Sequence, residues 1–444
     1  MADSRPLGSP RRRLLAACVG SIVESYDWLI YAVLAPYFAS AMFPGDNAVA
    51  RLLASYLVFA VGFFVRPLGA VVLGRLTDRR GRRFGLLISV ALIAVCSLVI
   101  AVTPPAGTIG VAAAVVVVLA RLVQGLAMSG EQSAAGAYVV ETAPPRRRYL
   151  YGALLSSTNY VGQLLALATA SVLLAVYGAG GLTAGAWRIG FLVCAALGLV
   201  ALWIRKAAPE SEVYLREVAG GRHAQFPVLL AHKRQALAVF LLIVPATMGL
   251  YFITSYLPVF LHDAGLADTT AVSRYLPLLM IYLIVVIAVM GLLADRIGGL
   301  RVARAGLVVL TVVTAPIIFA LKAGWIPLIP GALVYLTVLG VITAPISIIS
   351  PRLFPPQVRA LGMGLPSMLA VAAFGGTFPL IATALSASGN GDVLPWYIAL
   401  GAGLGLAGSL LVRRTDLRGA VDQAEHSADR TRAHSTAEAD TPAE

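Results

Sequence analysis

Twelve long apolar runs are the feature that most constrains how this 444-residue chain can fold. Each is close to the roughly 20 residues that a helix needs to cross about 30 Å of hydrocarbon. Only helices or a closed barrel satisfy the backbone there, and the alternating pattern of barrel strands is absent. The runs cover about 14–41, 52–74, 84–103, 109–135, 150–178, 187–204, 236–261, 275–293, 305–321, 325–350, 360–386 and 395–412.

A polar stretch divides these runs into two sets of six. The sequence therefore predicts an all-α polytopic membrane protein with twelve transmembrane helices in two six-helix bundles. Its expected parts are a cytoplasmic N-terminus (1–13), an N-terminal bundle (14–204), a central cytoplasmic loop (205–234), a C-terminal bundle (235–412) and a disordered cytoplasmic tail (413–444). The tail is polar and carries no heptad pattern, which is typical of disorder.

The composition excludes a soluble protein. Apolar residues make up 59% of the chain and charged residues 12%, whereas soluble domains are about half apolar and about a quarter charged. The net charge of +13 would otherwise suggest a nucleic-acid partner. The basic residues form short clusters between apolar runs, so we expect them to set the orientation in the lipid bilayer and expect no nucleic-acid partner.

The distribution of basic residues predicts the orientation. One set of connections, together with both termini, holds 28 of the 34 Lys and Arg residues, while the opposite set holds four, Arg51, Arg188, Arg274 and Lys322. The basic side is expected to be cytoplasmic, with both termini inside. A cleavable signal peptide is the alternative for the N-terminus, but Glu24 and Asp27 would interrupt its apolar region.

Cysteine and histidine positions argue against an enzyme. The three cysteines lie inside apolar runs without CxxC spacing, and the five histidines fall in connections or in the tail. A phosphate-binding GxxxxGK(S/T) loop is absent. We therefore expect no metal, no cofactor and no catalytic centre, and a membrane-bound enzyme is the less favoured alternative.

Two loops at equivalent positions of the two halves share a motif. Between spans two and three the chain reads GRLTDRRGRR (74–83), and between spans eight and nine it reads GLLADRIGGLR (291–301). The first resembles the signature loop of the major facilitator superfamily, and the second its degenerate copy, as expected of a duplicated transporter. An acid beside a helix N-terminus is stabilised by the helix dipole, and arginines can bridge helices. We predict a cytoplasmic gate of Asp78, Arg79, Arg82, Arg83, Asp295 and Arg296, with enforcement of topology alone as the alternative for the arginines.

Further segments narrow the resemblance. In chain order they are ESYDW (24–28), RPLG (66–69), RLVQG (121–125), SGE (129–131), ETAP (141–144), WRI (187–189), YLP (256–258), FP (354–355) and FGG (374–376). Together they resemble the metabolite–proton symporter family of that superfamily. The resemblance implies proton-coupled import of a small carboxylate-bearing metabolite, such as citrate, 2-oxoglutarate, shikimate, proline or betaine. It also implies alternating access in the bacterial inner membrane.

Five residues depart from that family's pattern. Arg352 stands where an acid commonly precedes Phe-Pro, and Ser367-Met368 stand where Tyr-Asn is usual in span eleven. Tyr149 replaces a glycine after an arginine cluster, and Gly299 stands where the second loop is expected to carry arginine. The span-eleven change bears on substrate identity, whereas the others bear on the cytoplasmic gate.

Acids inside the spans are the candidate proton carriers, since each costs about 2.5–3.5 kcal/mol at a helix centre. Glu24, Asp27 and Tyr31 are separated by three and four residues in span one and share a helix face. Two carboxylates this close in a low dielectric should not both be ionised. We predict proton coupling by Glu24 or Asp27, with pairing of one acid to an arginine as the alternative. Glu131 is predicted as a second proton site or a gate partner.

Arginines inside the spans are candidate receptors for a substrate carboxylate. Arg121, near the middle of span four, can bind a carboxylate through two parallel hydrogen bonds. We predict that it binds the substrate and a protein acid in turn, so that substrate binding frees the acid for protonation. Pairing with the protein acid alone is the alternative. Arg66 is a further candidate, although Pro67 and Gly69 beside it indicate a packing role.

The remaining predicted substrate residues are Gln124, Tyr31, Tyr251 and Tyr256. Gln124, Met128 and Glu131 form a predicted helix stripe in span four, and the tyrosines of span seven are included because of the family resemblance. The sequence thus predicts a monomeric, proton-driven importer. A proton-driven exporter of a drug or siderophore is the alternative on the same fold. A betaine or proline osmosensor is less favoured, because the tail lacks a coiled-coil pattern.

Overall fold

The computed structural model describes residues 10–80, 82–128, 144–206, 231–257, 260–261, 265, 269–355 and 358–417. Within these ranges all regular structure is helical. The N-terminal half contains α1 (Pro10–Met42), α2 (Ala48–Arg80), α3 (Arg82–Val102), α4 (Ala112–Ala127), α5 (Arg148–Gly181) and α6 (Trp187–Lys206). The C-terminal half contains α7 (Lys233–Tyr251), α8 (Thr269–Ile297), α9 (Gly299–Lys322), α10 (Leu328–Arg352), α11 (Arg359–Ala370), α12 (Phe378–Ala387) and α13 (Leu394–Leu411).

Three π-helical segments interrupt or extend these helices. Leu182–Ala186 joins α5 to α6, Phe252–Tyr256 continues α7, and Val371–Gly376 joins α11 to α12. Span eleven therefore consists of α11, the π segment and α12. Such widened turns often mark functional positions in helices. Two of the three lie in the C-terminal half, in spans seven and eleven.

The helices form twelve transmembrane spans. By length and composition, eight segments of the described chain can cross a membrane, and one of them, Arg148–Ile204, contains both α5 and α6. Two shorter apolar stretches, Leu87–Val102 and Ala112–Ala127, lie in α3 and α4. With α1, these account for the twelve predicted spans, so the predicted fold class is confirmed. Large apolar side chains such as Trp203 point outward and are exposed, as lipid-facing residues would be.

Helix contacts define two bundles and the seam between them. In the first half α1 packs against α5 and α6, α3 against α6 and α2 against α4. In the second half α7 and α9 pack against α13, and α8 and α9 against α10. Across the seam, α5 contacts α8 and α10, while α2 contacts all three parts of span eleven. These helix pairs form the interface between the halves, called the seam below.

The end of α4 differs from the sequence prediction. The apolar run extends to about residue 135, but α4 ends at Ala127, and Met128 has φ −92° and ψ 57°, outside the helical region. The predicted helical stripe that begins at Gln124 therefore does not continue through Met128. Glu131, which that stripe was expected to include, lies outside the described residues.

Candidate functional site

A buried ion pair lies inside the N-terminal bundle. Asp27 on α1 and Arg121 on α4 are both fully buried, and Nη1 of Arg121 lies 2.9 Å from Oδ2 of Asp27. The other carboxylate oxygen, Oδ1, accepts hydrogen bonds from Oγ of Ser97 at 2.6 Å and Nε2 of Gln124 at 2.9 Å. Sγ of Cys194 lies 3.4 Å from the same oxygen. Four helices, α1, α3, α4 and α6, thus converge on one carboxylate.

Arg121 is enclosed by aromatic rings on its remaining sides. Its guanidinium carbon lies 4.0 Å from the ring centroid of Tyr31 and 5.5 Å from that of Trp28. The Tyr31 hydroxyl donates to the carbonyl of Ser55 at 3.1 Å. Nε of Arg121 is buried and has no hydrogen-bond partner among the described residues. The guanidinium therefore keeps one donor available beside its ion pair.

A second guanidinium, that of Arg66 on α2, also contacts Trp28. Its central carbon is 4.3 Å from the Trp28 ring centroid and 4.1 Å from that of Phe63, so two rings hold it by cation–π contacts. Nη2 lies 3.8 Å from the weak acceptor Sδ of Met128, and Nε has no hydrogen-bond partner in the part of the chain that the structure describes. Aromatic rings thus position the planar guanidinium of Arg66, and its Nε–H remains available as a hydrogen-bond donor.

Close packing of α2 on α4 brings the two arginines together. A Cβ added at Gly125 would overlap with the carbonyl oxygen of Gly62, so only glycine allows the backbones to approach at this crossing. A Cβ at Gly62 itself would lie 2.6 Å from Cη2 of Trp28. Arg66 follows Gly62 by one helical turn. The short approach therefore lets Trp28 contact the guanidinium groups of both Arg66 and Arg121.

The C-terminal half meets this cluster through Tyr251. Its ring centroid lies 5.8 Å from that of Phe59 and 6.3 Å from that of Phe63, both in edge-to-face geometry. A Cβ at Gly376 in span eleven would lie 2.5 Å from a Phe63 ring carbon, so α2 also packs directly on the π segment. Tyr256 lies apart, with its hydroxyl donating to the carbonyl of Ala382 at 3.1 Å.

The predicted acids separate into two environments. Asp27 pairs with Arg121, whereas Glu24, one turn earlier on α1, is half-buried and is the acid that acts most strongly on the charge of Arg66. The shared helix face predicted for Glu24, Asp27 and Tyr31 thus serves two different arginines. Glu131 lies outside the described residues, and its role stays a prediction.

The second predicted loop contacts the opposite half. The carboxylate of Asp295, near the end of α8, accepts hydrogen bonds from the backbone N–H groups of Tyr149 at 2.9 Å and Leu150 at 3.0 Å. It therefore caps the N-terminus of α5. Arg296 is exposed. The side chains of the other four predicted gate residues, Asp78, Arg79, Arg82 and Arg83, lie outside the described part of the structure.

Sequence reasoning missed four residues of the site, Trp28, Phe63, Ser97 and Cys194. Ser97 was detectable as an isolated polar residue in the middle of an apolar run. The two aromatic residues and the thiol carry no such signal, because aromatic residues and cysteines in a span usually serve packing. Over the described ranges, no group of three or more His, Cys, Asp or Glu residues is arranged to hold a metal ion.

Comparison with known proteins agrees with this architecture. The family model described as Major Facilitator Superfamily matches residues 17–365. The chain is 33% identical over 423 residues to the alpha-ketoglutarate permease of Escherichia coli (strain K12), which covers 93% of this chain and 97% of that protein. It is 31% identical over 404 residues to the ectoine/proline transporter ProP of Corynebacterium glutamicum, covering 87% of this chain and 80% of that protein.

A solved structure supports the same fold. The xylose transporter XylE from E. coli, in a partially occluded inward-open conformation, superposes with a TM-score of 0.68 at 16% identity, covering 90% of this chain and 97% of that chain. The related proteins are transporters and not enzymes, as the sequence predicted for this chain. The chain belongs to the major facilitator superfamily and, within it, to the metabolite–proton symporter family.

Proposed function

We propose that this protein imports a small carboxylate-bearing metabolite together with protons, by alternating access across the bacterial inner membrane. The proposed arrangement has both termini in the cytoplasm and two bundles, 14–204 and 235–412, joined by the loop 205–234. The names of the relatives support a substrate of this class, since alpha-ketoglutarate and proline both carry a carboxylate. The observation that carries the proposal is the buried pair of Asp27 and Arg121.

The ion pair supplies a proton site that responds to substrate. Charges buried in a membrane protein are costly and mark transport pathways. While Arg121 holds Asp27 at 2.9 Å, the guanidinium compensates the buried charge of the carboxylate. A substrate carboxylate that binds Arg121 through its available Nε competes with Asp27 for the guanidinium. Asp27 then becomes a desolvated carboxylate without its counter-charge, and it takes up a proton.

Release reverses these steps. When the proton leaves Asp27 on the cytoplasmic side, the carboxylate again attracts Arg121 and displaces the substrate anion. Proton uptake by Asp27 and substrate binding are therefore coupled through the guanidinium of Arg121, and neither event completes the cycle alone. Arg66 provides a second carboxylate receptor through its Nε, and protonation of Glu24 would strengthen it by removing a competing negative charge.

The test is substrate uptake into vesicles with an imposed pH gradient, run over a panel of radiolabelled organic acids. Asp27→Asn removes the titrating group, so accumulation against a gradient should be lost while exchange of internal for external substrate persists. Asp392→Asn, at an exposed residue that pairs with Lys322, is the matched control and should accumulate substrate normally. Uphill uptake by Asp27→Asn at the rate of the unmodified protein would contradict the assignment.

A further inference from the structure

The start of α5 lies in the seam between the halves. The carboxylate of Asp295 on α8 accepts hydrogen bonds from the backbone N–H groups of Tyr149 and Leu150. These bonds fix the backbone of the first turn of α5. One turn later, a Cβ at Gly152 would overlap with the side chain of Ile348 on α10. The first two turns of α5 are therefore packed against two helices of the opposite half.

The ring of Tyr149 lies on the first residue of α9. Gly299 is buried, and a Cβ added there would overlap with Cε1 and Cζ of Tyr149. The ring therefore fills the volume that any side chain at position 299 would need. This contact joins the N-terminal half to the C-terminal half through side-chain shape rather than charge.

A third contact connects the tyrosine to the segment that follows α13. The guanidinium of Arg352, at the end of α10, lies next to the Tyr149 hydroxyl. Nη2 of Arg352 also donates to the carbonyl oxygen of Leu417 at 2.6 Å. One arginine thus joins the start of α5 to the segment that follows α13.

We propose that Tyr149, Gly299 and Arg352 form a latch across the seam that stabilises the state in which this end of the transporter is closed. The latch rests on the alternating-access function proposed above. Its residues bind no substrate; they are positioning residues for the conformational cycle. Because their contacts join the two halves, they are lost when the halves separate at this end, and their free energy shifts the population of the two states.

Steric coupling gives a sharp test. Gly299→Ala should displace the Tyr149 ring and open the seam, whereas the same substitution in a Tyr149→Ala background should have no further effect. Likewise, Arg352→Gln should open the seam when Tyr149 is intact, but it should cause no further opening in a Tyr149→Phe background. Gly403→Ala is the matched control, since a Cβ there would meet only Cγ2 of Thr311, at 3.8 Å.

Opening is measured by alkylation of a cysteine placed at Ser347, whose Oγ lies 2.9 Å from the position of a Cβ at Gly152. A membrane-impermeant maleimide is added to inside-out vesicles containing equal amounts of each variant, and labelling is compared with the chain that lacks this cysteine. We expect Gly299→Ala, Arg352→Gln and Tyr149→Ala each to raise the labelling rate about fivefold, a typical coupling between sites.

The outcomes separate the latch from the transport function. If Gly299→Ala has the same effect with Tyr149 intact as it has in the Tyr149→Ala background, the latch is overturned, and unchanged labelling in all variants overturns it as well. Uptake driven by a pH gradient is measured in the same vesicles. If the unmodified chain shows no such uptake while the coupled labelling holds, the proposed function fails and the latch stands.

Discussion

Removing the charge of Asp27 should leave the charge of Arg121 buried in the bundle without a counter-charge. Oδ2 of Asp27 binds Arg121, and Oδ1 accepts from Ser97, Gln124 and Cys194. An asparagine can place its carbonyl oxygen toward Arg121 and its amide toward Gln124, because Oε1 of Gln124 has no partner in the described structure and can turn to accept. Asp27→Asn can therefore remake the hydrogen bonds but not the ion pair.

The expected magnitude follows from the loss of that pair alone. Removing one partner of a buried ion pair costs about 3–5 kcal/mol, mainly because the other charge stays buried without compensation. Because the hydrogen bonds can be remade, we expect a value near 3 kcal/mol, at the lower end. The double variant Asp27→Asn with Arg121→Gln removes the stranded charge as well, and should recover most of the lost stability.

The assay is thermal unfolding of the three proteins in one detergent, with pH-driven uptake measured in vesicles. The single variant should have a clearly lower Tm than the unmodified protein, and the double variant should lie between them while remaining unable to accumulate substrate. The corresponding change at the exposed pair of Lys322 and Asp392 should leave the Tm nearly unchanged, since surface pairs contribute little. A double variant less stable than the single one would refute the reasoning.

Two further substitutions test the arginine receptor and the gate. Arg121→Lys loses the planar fork, so affinity for carboxylate substrates should fall by roughly tenfold or more, as measured by equilibrium binding, and an unaltered Kd would exclude direct contact. Asp295→Asn removes the charge that caps α5, worth about 0.3–1 kcal/mol, so maleimide labelling at position 347 should rise by less than about fivefold. The exposed Asp46→Asn is its control, and equal labelling of both variants would argue against the gate.

Much of the fold was predictable because hydropathy reports directly on lipid exposure. The twelve spans and the family follow from apolar runs and short motifs, and both are confirmed. The ends of helices were harder to predict from the sequence, because an apolar run does not reveal where backbone geometry changes. The departure of Met128 from helical angles, in the middle of such a run, illustrates this limit.

The residues of the site were predictable only where a charged or polar side chain interrupted an apolar span and shared a helix face with another one. The sequence placed Asp27 in span one and Arg121 near the middle of span four, and the structure joins them. It could not show which faces of α3 and α6 turn inward, so Ser97 and Cys194 were missed. Arg66 was underrated because Pro67 and Gly69 indicated packing; the close packing of α2 is real, and it is also what seats the Arg66 guanidinium against Trp28.

The location of the ion pair restricts how a proton can drive the halves apart. Asp27 and its hydrogen-bond partners among the described residues belong to α1, α3, α4 and α6, so rocking of one rigid bundle against the other leaves the pair intact. The signal must therefore leave the N-terminal bundle through groups at the seam. Trp28 contacts both guanidinium groups, and Phe63, which stacks on Arg66, meets Tyr251 and Gly376 of the other half.

A consequence for the energetics follows from this geometry. Protonation of Asp27 changes the charge beside Arg121, and substrate binding changes it at Arg66, so both events act on the Trp28 ring that contacts both guanidinium groups. A change in how Phe59 and Phe63 pack against Tyr251 can transmit them, because contacts within one bundle do not differ between the two rocked states. We therefore expect Tyr251→Ala to uncouple proton uptake from transport while leaving the ion pair and its stability untouched, measured as substrate exchange without accumulation; full accumulation by this variant would place the coupling elsewhere.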